Sequence, residues 1–568
     1  MSSRFLPVLL AATLIAPPIL AADLEVPVLP IDMAGLPADD EALTLDLRDA
    51  YEMALARNMD LQIGRFDLAT AGAAIHASAG IFDPYVGGSA SISTRESPAA
   101  TDLAGADITV TDNEQYGLRL DQLLPSGTQL FVQGGANYSD TNSIFYFLNP
   151  RWDIDLTAGV TQPLLQGFGT VVNRSGIIVA RANRGQAAHA FETSVVDTLR
   201  QVESAYWDLV AAREAVDVEQ ESLELAERLL AETRERIRVG TSAPIDAVQS
   251  EAGVASRRES LIYARNAAAN AEDTLKAVLG FDDATEWMMS IRTTEPLEAE
   301  PLEAGLRSAI DTALAERPEL AQQGLRIEVL EHNQKLARNR TLPTVDLEAT
   351  YGYGGVGGDF TDEDPAGVPV EVRGGFRDAV EQIGDRDFPH WEVGLMFSYP
   401  FGNNEAQGVL AQRRFELARG KAEMRALQQD IILQVRTAVR ALADGAAAMD
   451  AAEASRRLAE RNLEAETTKF ENGLSTNFQV LEIQEDLAQA RLAELRARTN
   501  YRKAIIGYRV ATGTLLEQRG VSIADPGQPD VPHDYWADVE WLQFTDLRDV
   551  WGDDGEEDEP TAVAGDAG

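Results

Sequence analysis

Four stretches of the chain place apolar residues at three- and four-residue steps over lengths that few helices reach. They run from Ala180 to Val239, Pro244 to Leu279, Ala406 to Asn472 and Asn477 to Thr512. Ala, Glu, Leu, Arg and Gln dominate them, and no proline lies inside the long runs, so they predict antiparallel, coiled-coil-like helices. At a rise of ~1.5 Å per residue, a run of about 60 residues is ~90 Å long, beyond an ordinary globular domain. Two shorter amphipathic helices are predicted over 44–80 and 304–340. Pro84 and Pro343 follow them, and a proline inside a helix would lose a hydrogen bond and clash with the preceding turn.

After each of these prolines the period changes from 3.6 to 2. Trp152, Ile154, Leu156, Ala158 and Val160 alternate with Asp153, Asp155, Thr157, Gly159 and Thr161. Val345, Leu347, Ala349, Tyr351 and Tyr353 alternate with Asp346, Glu348, Thr350 and Gly352, and Trp391, Val393, Leu395, Phe397 and Tyr399 with Glu392, Gly394, Met396 and Ser398. Such strands have one apolar and one wet face. A transmembrane barrel needs strands of ~10 residues with this alternation and aromatic residues near the interfaces. A soluble β-sandwich alternates in the same way; long flanking helices and few strands favour the barrel.

The chain also repeats itself. Leu47, Arg48, Ala50, Ala54, Leu55, Ala56, Leu61 and Pro84 recur 259 residues later as Leu306, Arg307, Ala309, Ala313, Leu314, Ala315, Leu320 and Pro343. Leu225, Ala226, Glu227, Arg228, Leu230, Gly240 and Gly280 recur 233 residues later as Leu458, Ala459, Glu460, Arg461, Leu463, Gly473 and Gly513. A tandem duplication follows, with a first repeat over 44–303 and a second over 304–517. Each helical hairpin turns at a matched signal, Gly240-Thr241-Ser242 and Gly473-Leu474-Ser475. Glycine there can take the left-handed conformation, Ser242 or Thr476 can cap the next helix, Thr476 and Gln479 have capping-box spacing, and Pro244 suits a first helical position.

Pro84 to Pro163 is 79 residues, whereas Pro343 to Pro400 is 57. The surplus of 22 contains Tyr116, Leu118 and Leu120 in alternation, a Leu124-Pro125-Ser126-Gly127-Thr128 turn, then Leu130, Val132, Gly134, Ala136 and Tyr138. It predicts an added hairpin, six strands per protomer in place of four, and eighteen in a trimer.

Composition narrows the class. Arg4 precedes an apolar run from Phe5 to Leu20 that ends in Ala21 and Ala22, so residues 1–22 are expected to be a secretory signal and 23–43 a linker. The chain has no cysteine, so the expected anchoring uses neither disulfides nor an N-terminal lipid. With 92 acidic against 49 basic residues the formal charge is −43, which repels nucleic acid. The acidity thickens from Asp549 to Glu559, in a C-terminal tail, 518–568, expected to be partly disordered. Catalysis finds no motif. His76, His189, His332, His390 and His533 never stand four residues apart, and Gly352–Gly358 lacks the Lys-Ser/Thr ending of a phosphate loop. The expectation is a non-enzyme without cofactor or bound metal.

The doubled plan, the strand endings Gln162-Pro163-Leu164-Leu165 and Tyr399-Pro400-Phe401, the segment Ala205-Tyr206-Trp207-Asp208-Leu209 and the two glycine turns together resemble the TolC-type outer-membrane factors, over nearly all of residues 40–517. The resemblance implies a mainly α protein with a membrane β-barrel. A homotrimer closes one barrel in outer-membrane lipid and continues as a tunnel of long helices through the periplasm. It implies partners too: a periplasmic adaptor and an inner-membrane transporter of RND or ABC type, serving efflux or type I secretion. Gly240, Thr241, Ser242, Gly473, Leu474 and Ser475 would be the adaptor-contacting tips, and Asp246, Gln249, Gln479 and Glu482 would face the tunnel constriction. Rings of Asp246 and Glu482 would favour cations, although a solvated helix face competes as a reading of these carboxylates. Asp153, Asp155, Asp346, Glu348 and Glu392 would line the barrel lumen. The best-known member holds its closed state with an arginine where this chain has Ser475, so that lock is not carried over. A periplasmic coiled-coil scaffold or adhesin without a pore is the competing function.

Overall fold

A computed structural model describes residues 43–98, 105–144, 146–298, 300–363, 369–372 and 374–523. The expected signal, most of the linker and the tail beyond Ile523 lie outside the described residues. The first half runs β1 (Leu43–Leu45), α1 (Leu47–Arg57), α2 (Met59–Ala79), β2 (Tyr85–Pro98), β3 (Ile108–Leu123), β4 (Gln129–Thr141), β5 (Arg151–Pro163), the short α3 (Thr170–Asn173), α4 (Ser175–Arg238), α5 (Pro244–Leu279), α6 (Ala284–Met288) and β6 (Ile291–Thr293). The second runs α7 (Leu306–Glu316), α8 (Pro318–Asn339), β7 (Thr344–Gly358), β8 (Phe360–Glu363), β9 (Pro369–Val372), α9 (Phe376–Asp385), β10 (Phe388–Ser398), α10 (Asn404–Glu471), α11 (Asn477–Thr512) and α12 (Leu515–Arg519).

Helices dominate, and the four long ones fall where the periodicity puts them. The shorter helices depart from expectation, because each of the predicted spans 44–80 and 304–340 is two helices with a break. At the first break Asn58 is extended, and its side chain accepts from Asp60 N at 3.0 Å and Leu61 N at 3.2 Å, capping α2. At the second, Arg317 is extended because it precedes Pro318, which opens α8.

Six strands form one antiparallel sheet in the order β10-β7-β5-β4-β3-β2. The added hairpin, β3 and β4, therefore sits inside the sheet. Its turn is anchored: Leu124 N donates to Thr128 O at 2.8 Å, Gly127 has φ +90°, and Gly169 N, from the connection that leads into α4, donates to Ser126 O at 3.0 Å. A Cβ on Gly127 would lie 2.6 Å from Gly167 O, so only glycine fits beneath that connection.

Between β7 and β10 the described residues are more than loop. β8 pairs with β9, and α9 lies back on the sheet. Backbone meets backbone there, since a Cβ on Gly355 would be 2.0 Å from Ala379 O and one on Gly357 2.1 Å from Gly375 O. Beyond the end of β10, Gln382 donates to Val356 O and accepts from Val356 N, both at 3.0 Å, continuing the ladder with a side-chain amide.

The main core gathers where α1, α4, α5 and α11 meet the small parallel pair β1 and β6. Tyr206, Trp207, Leu199 and Leu209 of α4 are at most 1% exposed, so the Ala205–Leu209 segment is structural centre. Tyr206 donates its hydroxyl to Leu45 O at 3.2 Å and accepts from Thr294 N and Glu295 N, each at 3.3 Å, fastening both entry segments to α4.

Candidate functional site

The first candidate region is the two-faced sheet. In an antiparallel pair, directly opposed residues point to the same face. The register opposes Asp155 to Gly354, Asp153 to Val356, Glu348 to Thr161 and Gly394, Asp346 to Pro163 and Met396, and Glu392 to Thr350. All five expected lumen carboxylates, Asp153, Asp155, Asp346, Glu348 and Glu392, thus share one face. Asn137, Gln133, Gln115, Ser91 and Ser89 extend it across the added hairpin to β2. This face is charged in both senses: Arg151 pairs with Asp153 at 3.1 Å and Arg119 with Asp121 at 2.8 Å. Sequence reasoning missed these two arginines, although each stands two places from its partner.

The opposite face is apolar. Ala158 faces Tyr351, which faces Trp391; Val160 faces Ala349, which faces Val393; Val132 faces Leu120, which faces Val86. From Trp152 to Val160 the apolar band covers ~27 Å along the strand, comparable with the height a bilayer demands. Aromatic residues gather at both ends. At one, Trp152 packs on Tyr138 at 5.0 Å and on Phe376 of α9 at 5.2 Å; at the other stand Phe397 and Tyr399.

The second candidate region is the pair of helical turns. Gly240 and Gly473 have φ +81° and +74°, and a Cβ on either would meet nothing within 4 Å. Thr241 N donates to Arg236 O and Leu474 N to Lys469 O, both at 2.8 Å, closing the two turns alike. The caps of the following helices differ. Thr476 and Gln479 form the expected box, with Gln479 N to Thr476 Oγ1 at 3.4 Å. The cap expected of Ser242 falls instead to Asp246, whose carboxylate accepts from Ala243 N at 3.0 Å.

The expected constriction residues therefore divide. Asp246 and Gln479 hold helix starts, whereas Gln249 and Glu482 are exposed one turn further on. All four sit on the first two turns of α5 and α11, which a buried residue ties together. Asn477 donates to Asp246 O at 3.1 Å and to Ser250 Oγ at 2.7 Å, and accepts from Thr233 Oγ1 of α4 at 3.2 Å. Sequence reasoning missed this node, whose only signal was an amide at a helix start. Ser475 donates to Glu466 and, at 3.0 Å, to Gln479 Oε1; Lys469 bridges Glu466 at 2.8 Å. The Lys469 ammonium, and after it the Ser475 hydroxyl, hold the Glu466 carboxyl below its usual range. Arg236 stacks over Phe470 at 4.1 Å and donates to its carbonyl at 3.1 Å, joining the two turns.

Among the described residues no helix is long and apolar enough to cross a membrane, and no cluster of His, Asp and Glu could hold a metal ion. Long helical hairpins thus carry a sheet that is polar on one face and apolar on the other. The chain belongs to the outer membrane efflux protein family, whose profile matches residues 50–281 and 309–514. It is 22% identical to the outer membrane protein TolC of Vibrio cholerae over 378 residues, which is 65% of this chain and 79% of that protein. It is 29% identical to protein CyaE of Bordetella pertussis over 182 residues, 32% of this chain and 38% of that one. The fold matches the Campylobacter jejuni CmeC outer membrane channel with a TM-score of 0.60 at 15% identity, over 82% of this chain and 85% of that one.

Proposed function

We propose that three copies of this chain close an eighteen-strand barrel in the outer membrane and continue it as a periplasmic tunnel, passing substrates from an inner-membrane transporter and an adaptor to the exterior. The observation that carries this reading is the sheet with two free edges. β2 and β10 flank it, run in opposite directions and are exposed along nearly their whole length. In hydrocarbon an unpaired edge leaves backbone groups without partners, so the edges must meet, and β10 of one copy against β2 of the next is again antiparallel. The apolar face then meets lipid, and Asp153, Asp155, Asp346, Glu348 and Glu392 line the lumen. Barrel diameter grows roughly in proportion to strand number, so eighteen strands make a barrel about 1.5 times as wide as twelve.

In this reading the turns at Gly240–Ser242 and Gly473–Ser475 are the far tips where the adaptor docks. Asp246, Gln249, Gln479 and Glu482 stand at the tunnel entrance, with Glu482 the exposed carboxylate of the ring and Asp246 partly spent on its cap. Efflux and type I secretion both fit this arrangement. Fractionation should find the protein in outer membranes as a trimer, and planar bilayers should register cation-preferring conductance that falls in Glu482→Gln. A soluble monomer without conductance would leave the pore-free scaffold. Electron cryomicroscopy in nanodiscs should count eighteen strands; twelve would remove the added hairpin from the wall.

A further inference from the structure

α9 lies on the apolar face of the sheet, over the end remote from the long helices. The register fixes the face. Gly355 opposes Ile154 and Gly357 opposes Trp152, and a Cβ added to either glycine would run into backbone of α9 or its cap, at Ala379 O and Gly375 O. Trp152 fixes the end, since it stands at the start of β5, whose other end leads to α4, and it packs on Phe376 at 5.2 Å.

The sides of α9 differ in kind. At ~100° per residue, Phe376, Val380 and Ile383 fall within ~60° of one another, Asp378 and Asp385 fall roughly opposite them, and the fully buried Ala379 turns to the sheet. Arg377 and Glu381, four residues apart, occupy the side turned away from it. Phe376 and Val380 remain 50% and 43% exposed in the protomer, as do Tyr351 and Trp391, at 50% and 72%, on the same face of the sheet.

The backbone around α9 is closed off as hydrocarbon requires. Asp378 accepts from Gly375 N at 2.6 Å at the start of the helix, and Asp387 N donates to Gln382 O at 3.1 Å at its end. Where β10 no longer covers the edge of β7, the Gln382 amide bonds both the N–H and the carbonyl of Val356. An edge in water would need no such cover, because water supplies the partners. Apolar side chains along one side of a short helix, carboxylates along the opposite side and a sealed backbone suit the boundary between acyl chains and headgroups.

We propose that α9 is an interfacial helix. Its Phe376, Val380 and Ile383 side rests at the acyl-chain boundary of the outer leaflet, its Asp378 and Asp385 side stays in water, and the helix thereby sets the depth at which the sheet is held. This rests on the reading that the apolar face of the sheet meets lipid, and the test separates the two.

The chain has no cysteine, so one introduced cysteine carries a spin label at a single chosen site. Val380→Cys, Asp385→Cys and, on the apolar face of β10, Val393→Cys are made in the full chain and reconstituted in phosphatidylcholine vesicles. None of the three positions is buried, so the changes empty no core. Collision of each label with oxygen, which concentrates in hydrocarbon, is compared with collision with a water-soluble nickel chelate. The oxygen-to-nickel ratio should be several-fold higher at Val380 than at Asp385, and high at Val393 as well. If Val393 reports lipid while Val380 matches Asp385, α9 stands clear of the bilayer and the proposal is wrong, although the lipid-facing sheet survives. A Val380 label shielded from both reagents means that protein covers this side, which equally overturns it. Water at Val393 removes the lipid-facing sheet and the proposal together. Should Val380→Cys not insert, Ile383→Cys reads the same side of the helix.

Discussion

α4 and α10 occupy the same place in the two repeats and have similar lengths, 64 and 68 residues, yet α4 buries eighteen of its residues and α10 only six. The difference is one of position. α4 packs among α2, α5, α8 and α11, whereas the main partners of α10 are α7, α8 and α11, and it leaves Phe415, Leu433 and Leu458 at 75%, 58% and 64% exposure. β10, the edge strand of the sheet, leads directly into α10. The two helices match in length but not in burial. One lies at the centre of the protomer's core, and the other keeps a bare face.

The sharpest way to break this comparison is a pair of truncations. Trp207→Ala should cost about 3–5 kcal/mol of protomer stability, the range for emptying a large buried site. Leu433→Ala should change protomer stability by less than about 1 kcal/mol, since its side chain is already 58% exposed, and in the trimer proposed above it should instead weaken the oligomer. Denaturant titration and mass determination in detergent separate the two; equal damage to the protomer would undo the contrast.

At the tips, Asn477→Ala should cost about 1–3 kcal/mol, because Asp246 O and the buried Ser250 Oγ lose their donor, whereas Thr233 keeps Leu229 O at 2.8 Å. Amide exchange in the first turns of α5 and α11 should rise together, and a rise in α11 alone would argue against a shared node. Gly240→Val and Gly473→Val should each cost about 1–3 kcal/mol through backbone strain, the added carbon meeting open space. Unequal losses would mean that the two turns are not structural copies. The smallest effect concerns pH. Because the folded Glu466 carboxyl sits below its usual range, its contribution is complete above the ordinary glutamate value of about 4.3 and is lost as pH falls through the lower folded value. Protection factors at Gly473–Ser475, which remove the intrinsic pH dependence of exchange, should therefore fall as pH drops through that lower value, and Glu466→Gln should flatten that dependence.

Much of this was legible in the residues. Alternation in β5, β7 and β10 fixed which carboxylates share a face, because a period of two leaves a strand no choice once one face is apolar. The surplus hairpin was equally plain, from Leu118, the Pro125-Ser126-Gly127 turn and Val132. β2 was faint, since its apolar-face positions include Gly88, Thr94 and Glu96. α9 was hidden in an acidic stretch because Gly355 and Gly357, which admit it, read as loop glycines until their neighbours are known. The division of the expected constriction residues was not visible, since whether Asp246 caps or stays free depends on Ala243 preceding Pro244 in a turn of a particular shape.

The sequence by itself determined the period of each segment, the places where helices must stop and the doubling of the whole plan, because these follow from local sterics and from which faces can be hydrated. Only the tertiary structure decided which of two like helices is central, that the added strands lie between β2 and β5, and that Trp152 and Phe376 pack together. Those outcomes depend on contacts between residues hundreds of positions apart, where each partner reads as ordinary until it is placed beside the other.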